Sequence, residues 1–594
     1  MKVIKERFAN KKRAGKILAP LLVLLVLLCC AVILFPFLRE KRGQTADEAF
    51  KAFTSELFLS NVSSNTLTLH YTLADPEAAG ITGAPVSFGD YSADARKRSA
   101  AALENALETL SSFPKEELSS SSRLTCDILL VQLQNELALC RYPYYEEILS
   151  PLLGTQAQLP ILLAEYSFAS REDIETYLAL LEQLDSYYES LLAYEQEKAE
   201  AGLFMWEETA EAVINQCRDF ISDPGSHFLL TSFKERLDQA DFLSEEEKTA
   251  YLETNRARVT GHVLPAYERL ADGLEELKTC GTNPYGLCFY PEGTGYYKAL
   301  VDCVIGSGRS MTEIRNLIDE QLLSDARLMA GIIGRRPELL TRLSRQIEPQ
   351  SPKDILAALQ EDIREDFPAV SSASCTVKYV APSLEKYLSP AFYLTPPLDQ
   401  MSNHVIYINQ ASDYDNLTLF TTLAHEGWPG HLYQTLYENS LKLDPVRSIF
   451  YFGGYVEGWA TYAERYAYRY TSLDPDCADL LAANSFLLLG LYARSDVGIH
   501  YDGWKPEDLA DYFSSFGITD DTVLNSIYQA IVQNPADYLK YYLGAVEILE
   551  LKKEAEEAFG EHFAVKDFHE FILSIGPAPF SVIRDYLYGW TGTD

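Results

Sequence analysis

Between Ile17 and Leu38 no residue is charged and nearly all are apolar (ILAPLLVLLVLLCCAVILFPFL). As a helix this run reaches about 33 Å, enough to cross a hydrocarbon core of about 30 Å. Seven basic residues precede it (Lys2, Lys5, Arg7, Lys11, Lys12, Arg13, Lys16) and three come after it (Arg39, Lys41, Arg42). That asymmetry holds the N-terminus in the cytoplasm and exports the chain beyond Leu38. A cleaved signal peptide is the rival reading, but its apolar region is usually shorter and no small-x-small site comes directly after the run. The expected order is a cytoplasmic basic tail over 1–16, a transmembrane anchor over 17–38, a polar linker over 39–50 and an exported body over 51–594.

From Gly43 onward there are 40 basic and 84 acidic residues, a formal charge of −44. Such a surface repels nucleic acid, which is excluded as a partner. A hydrophobic content of 47% over 594 residues is that of a globular chain. Single cores rarely exceed about 250–300 residues, so two lobes are expected. The Gly/Pro-rich segment Gly281–Gly295 is the candidate boundary, giving lobes of roughly 51–280 and 281–594. Eight cysteines lie beyond the apolar run, without a CxxC spacing that would mark a thiolate metal site. Cys280 with Cys288 is the best short-range pair, and buried free thiols are the alternative.

The body reads as mainly α. Ser170 with Asp173, Ser244 with Glu247 and Ser310 with Glu313 are capping-box starts. Further helices are expected near 93–112, 120–141, 352–366, 478–500 and 537–559. Strand signals are confined to Cys375–Val380 and His404–Asn409. The proline-rich Ser389–Asp399 between them reads as a loop. The fold class expected is a large, two-lobed helical protein with a central cleft and a small β element, preceded by one transmembrane helix.

The chemistry concentrates in Thr422–Gln434, TLAHEGWPGHLYQ. Zinc hydrolases of the HExxH kind place two histidines on adjacent turns of one helix, with the intervening Glu as base. Here His425 and His431 are six residues apart, which on a regular helix turns the second imidazole about 120° away from the first. Pro429 cannot donate a backbone hydrogen bond, so the helix must open there, with Gly427 and Gly430 relaxing the chain around it. A broken turn of this kind carries His431 back beside His425. Glu457, in the helical-looking YVEGWATYAE, is the third candidate ligand. Glu464, two turns further on, is either its substitute or a partner that orients a histidine. Two imidazoles and a carboxylate suit one zinc ion with an open position for water, whose proton Glu426 takes as general base.

HEGWPGH followed by EGWATYAE resembles the bacterial family known as domain of unknown function 885, whose members look like distant relatives of the gluzincin metallopeptidases. PEGTGYY, IYIN, RSDVGIH, NPADYLKYYLG and GPAPFSVI extend the resemblance over roughly 50–590. It departs from the family at Leu432, where many members carry a further histidine. The resemblance implies a helical, cleft-bearing zinc peptidase acting on short peptides, with His425, His431 and Glu457 as ligands and Glu426 as base. It further implies Arg494, His500 and Tyr541 as residues that bind substrate or the transition-state oxyanion. Gluzincins commonly take the substrate backbone as a strand beside an edge strand near the zinc. That implies Val405–Asn409 here, with Tyr407 and Asn409 binding substrate. A non-catalytic surface binder on the same fold and a zinc amidohydrolase of cell-wall amides are the competing functions. The oligomeric state is left open.

Overall fold

The computed structural model of the chain describes residues 45–592, apart from 343–346, 372, 381–384, 386–389 and 413–414. The basic tail and the apolar run Ile17–Leu38 lie outside the described residues. The expected linker ends early, because a helix begins at Ala46 behind a capping box of Thr45 and Glu48. From there the chain is mainly helical, with one small sheet among the described residues.

The three expected capping boxes form: Ser170, Ser244 and Ser310 each accept the backbone N–H three residues on, and the acid there returns the bond. Each such cap is worth roughly 1 kcal/mol to its helix. The elements that build the site are numbered along the chain. Helix α1 is Met311–Arg335, strands β1, β2 and β3 are Cys375–Tyr379, Ala391–Leu394 and His404–Ile408, and helices α2 to α6 are Asn416–Glu426, His431–Leu441, Gly453–Ala467, Pro475–Val497 and Asp537–Phe559.

The sheet order is β1-β3-β2, with β1 parallel and β2 antiparallel to β3. Two expectations change here. Residues 391–394 form a strand inside the stretch read as a loop. Its prolines flank it instead of interrupting it, which an edge strand tolerates. Strand β3, in turn, is the central strand and not an edge.

Helix α5 and its continuation to Asp502 are apolar and long enough to cross a membrane by composition, but their most apolar stretch is mostly buried inside the protein. It is apolar all round because neighbours cover it on several sides. Helices α4 and α6 approach so closely that a Cβ on Gly544 would sit 2.1 Å from the Gly454 carbonyl oxygen, and one on Gly458 2.4 Å from the Gly544 backbone. This contact brings the α4 turn that carries Glu457 close to the α6 turn that carries Tyr541.

The largest apolar core draws almost entirely on residues after Leu287 and encloses the histidine segment. A second core is built from residues 67–274, joined by Val380 and Tyr407. The expected Cys280–Cys288 pair is not formed: both are thiols, and Cys288 Sγ donates to the Ile499 carbonyl oxygen at 3.2 Å.

Candidate metal centre

Helix α2 starts at Asp415, which caps the Thr418 N–H at 2.7 Å, and its last turn carries His425 and Glu426. The chain then leaves the helix for Gly427–Gly430, which includes a cis Trp428–Pro429 peptide, and re-enters it as α3 at His431. The backbone bonds show how the register is kept. Gly430 N–H donates to Ala424 O at 3.0 Å and Tyr433 N–H to Gly427 O at 3.1 Å, each across six residues. A regular helix spans four. Two residues are therefore looped out, and His431 takes the place that a residue four positions after His425 would hold. Gly430 permits this, since a Cβ there would lie 1.7 Å from the His425 carbonyl oxygen. Trp459 Nε1–H holds the loop by donating to Pro429 O at 2.9 Å.

The two imidazoles end up with centroids 4.9 Å apart and planes at 87°. Glu457 Oε2 lies 3.7 Å from His425 Nε2 and 3.4 Å from His431 Nε2. One nitrogen or oxygen from each of the three residues falls within 4.8 Å of the other two. Direct N–H···O bonds cluster at about 2.9–3.0 Å, so these separations are long for hydrogen bonds. They lie close to the edge of a tetrahedron whose centre is about 2.0–2.2 Å from each ligand, an edge of roughly 3.3–3.6 Å. The donor set and spacing fit one zinc-sized ion.

The groups around the cluster point its atoms inward. Glu464 Oε2 is 3.2 Å from His425 Nδ1 and so turns Nε2 toward Glu457. Tyr451 O–H donates to Glu457 Oε1 at 2.8 Å, leaving Oε2 for the shared point. Burial works against charge on both sides of this pair. Even so, Glu457 and Glu464 raise the His425 imidazole well above its ordinary range. Burial likewise opposes ionisation of Glu457, yet the two imidazoles hold its carboxyl well below the usual range. Glu426 is mostly buried, which pushes its carboxyl up. Its Oε2 accepts the Tyr393 N–H of β2 at 2.8 Å. Of the cluster, His425 borders a cavity of about 490 Å³, together with Glu426, Pro390, Ala391 and Tyr541.

Among the other expected residues, only Tyr541 stands at the cavity, its ring centroid 6.3 Å from that of His425. His500 is fully buried, with Nδ1 accepting the Leu287 N–H at 3.1 Å and Nε2 facing the Ile531 carbonyl at 2.9 Å. With both nitrogens engaged by backbone it is a packing residue and not a catalytic one. Arg494 pairs with Asp319 and Asp502, both at 3.2 Å, and lies over the Trp504 ring. Tyr407 reaches into the second core, where its hydroxyl donates to Glu165 at 2.8 Å and its ring stacks on Phe392. Asn409 accepts the Ala411 N–H and donates to the Glu385 carbonyl, tying the end of β3 to the chain before β2. The strand expected to receive substrate has β1 on one side and β2 on the other, so neither side is open. Sequence reasoning misses Tyr451 and the β2 edge. Tyr451 is one of 38 tyrosines with no local motif to single it out.

The model of the family described as "Bacterial protein of unknown function (DUF885)" matches residues 76–587. A protein from Colwellia psychrerythraea described as a "putative lipoprotein" is similar in structure, with a TM-score of 0.82, 20% identity and 92% of this chain aligned to 99% of that one. A "putative lipoprotein of unknown function" from Shewanella oneidensis aligns with a TM-score of 0.63, 17% identity and coverage of 90% and 99%. At these identities the likeness is one of fold. No curated protein matches the chain.

Proposed function

The chain belongs to the DUF885 family, and on that premise we propose that it is a membrane-anchored, extracytoplasmic, zinc-dependent metallopeptidase that hydrolyses short peptides. One observation carries the reading: a looped-out helix brings two imidazoles beside Glu457, whose Oε2 lies 3.7 and 3.4 Å from their Nε2 atoms, with the three ligand atoms within 4.8 Å of one another. His425, His431 and Glu457 hold the ion, which supplies a Lewis acid and lowers the pKa of water to about 7 when bound.

The chain's own groups do the rest. Glu426 takes the proton from the attacking water and returns it to the leaving amine. The Tyr393 N–H engages Oε2, which leaves Oε1 to carry that proton. Tyr541, on the cavity wall, donates to the carbonyl oxygen as charge develops on it. The substrate backbone runs along the outer edge of β2. Pro390 and Ala391 border the cavity there, and the Tyr393 N–H points to Glu426 and away from β3. Localisation rests on the apolar run Ile17–Leu38 between its basic flanks.

Glu426→Gln is the test. It is expected to retain one zinc per chain by elemental analysis and to lower peptide turnover by about 10²–10⁴-fold. Turnover equal to the parent's removes Glu426 as base. A parent that binds no metal is better described as a binding protein, and one that binds zinc without cleaving peptides as an amide hydrolase of another substrate class.

A further inference from the structure

The cavity beside the cluster is framed by faces of four helices. Helix α2 contributes Thr418 and Thr422, α5 contributes Ala482, Phe486 and Leu489, and α6 contributes Tyr538. Each set recurs at three- or four-residue spacing, so each helix turns one stripe inward. From His425 back to Thr418 the wall runs about 10 Å along α2. A volume of about 490 Å³ falls in the roughly 300–1,000 Å³ range of ligand sites and far exceeds the space of a single trapped water.

Two charged residues of α4 reach the same space, and both are already committed. Glu464 is engaged by His425. Arg465 donates twice to Asp325, at 3.0 and 2.5 Å, and Asp325 is itself 1% exposed. The face of its guanidinium covers the Phe486 ring at 4.4 Å. Away from His425 and Glu426 at the cluster end, what remains of the wall is hydrocarbon, aromatic ring and hydroxyl. A carboxylate side chain entering here meets a neutralised Arg465 and the acid of Glu464. An ammonium meets an occupied Glu464 and the positive charge of Arg465. Either loses hydration without gaining a free counter-charge, a cost that an uncharged side chain escapes.

We propose that this cavity is the side-chain subsite of the enzyme and selects a large, uncharged residue (leucine, methionine, phenylalanine or tyrosine) next to the bond that is cut. The inference rests on the peptidase reading above. The probe is a set of short peptides identical except for Gly, Ala, Leu, Phe, Tyr, Asp or Lys beside the susceptible bond. They are incubated with the zinc-loaded full chain in detergent, and the same peptides are titrated calorimetrically into Glu426→Gln.

Leu, Phe and Tyr peptides are expected to exceed Asp and Lys peptides in kcat/KM by about 10-fold or more. Ala482→Phe, which fills the cavity, is expected to lower the rates for the large side chains by about 10-fold, with Gly and Ala peptides held within about 3-fold. Leu489→Ala, which removes wall and cannot overpack it, is expected to weaken Leu relative to Tyr. A flat profile, a preference for either charge, or an equal loss on every peptide in Ala482→Phe overturns the subsite while leaving the hydrolase standing. If no peptide is cleaved, the peptidase reading fails and calorimetry decides the subsite alone. The same ranking in affinity sustains it, and equal affinities end it.

Discussion

The segment from His425 to His431 and the π-helical turn Gly498–Asp502 are both breaks in a helix that carries a histidine into the largest core. Each is closed by a backbone bond across six residues, Gly430 N–H to Ala424 O in one and Trp504 N–H to Gly498 O in the other. They differ in what meets the ring. His425 faces carboxylates on both sides, Glu464 at Nδ1 and Glu457 at Nε2. His500 faces a backbone N–H and a backbone C=O, which fixes its neutral tautomer with the proton on Nε2. Burial then outweighs the Ile531 carbonyl at His500 and pushes it down to about 4, whereas the acids around His425 overcome burial and drive it up. A distorted helix bearing a histidine is thus no sign of chemistry in itself; the partners decide.

The sharpest contrast is between His425→Ala and His500→Ala. The first is expected to lose bound zinc and all turnover with little change in unfolding. The second is expected to keep its zinc. It leaves the Leu287 N–H and Ile531 C=O unpaired beside a void, at a cost of about 3–5 kcal/mol in urea unfolding. Metal loss in His500→Ala would break the comparison.

A smaller effect is expected from Glu464→Gln, which weakens the hold on the His425 ring without removing a ligand. Zinc affinity should fall by about 10–100-fold, read by competition with a chelator. Unchanged affinity would make Glu464 a bystander.

The smallest effect concerns pH. Folded His500 titrates near 4 and the unfolded imidazole near 6.5. As pH falls through 6.5 only the unfolded chain gains the proton. The stability His500 contributes is therefore present above pH 6.5 and lost on the way down through about 4. Between pH 7 and 5 this amounts to about 2 kcal/mol. His227 and His569, also pushed down to about 4 by burial, add losses of the same sign. His500→Gln should be less acid-sensitive than the parent by that increment, measured as the shift in unfolding free energy between the two pH values. Equal losses would mean that His500 is not held neutral.

What could be read from the sequence was local. The capping boxes at Ser170, Ser244 and Ser310 need only four residues each, and helix α6 begins and ends where its pattern does. The clustering of the candidate ligands was legible because the histidines and the acids Glu426, Glu457 and Glu464 lie in two short segments with an obvious breaker, Pro429, between the histidines. Strand β2 was hidden because four residues between prolines carry no usable alternation and pairing with β3 is a long-range event. The order β1-β3-β2, which closes both sides of β3 and removes Tyr407 and Asn409 from the cleft, depends on the same pairing. For His500 the sequence supplied a histidine and a motif, but the fate of its nitrogens is set by Leu287 and Ile531, whose proximity only the fold creates.

The pair of residues bulging from the helix between the imidazoles has a consequence for how such centres are found. Excising that pair would leave an unbroken helix with both rings on successive turns, whereas losing or gaining a single residue would swing one ring about 100° out of reach. An ion senses rotation about the helix axis and is indifferent to how many residues the chain spends outside it. Patterns that count positions between histidines will therefore pass over centres like this one, and the backbone hydrogen-bond ladder is the better ruler.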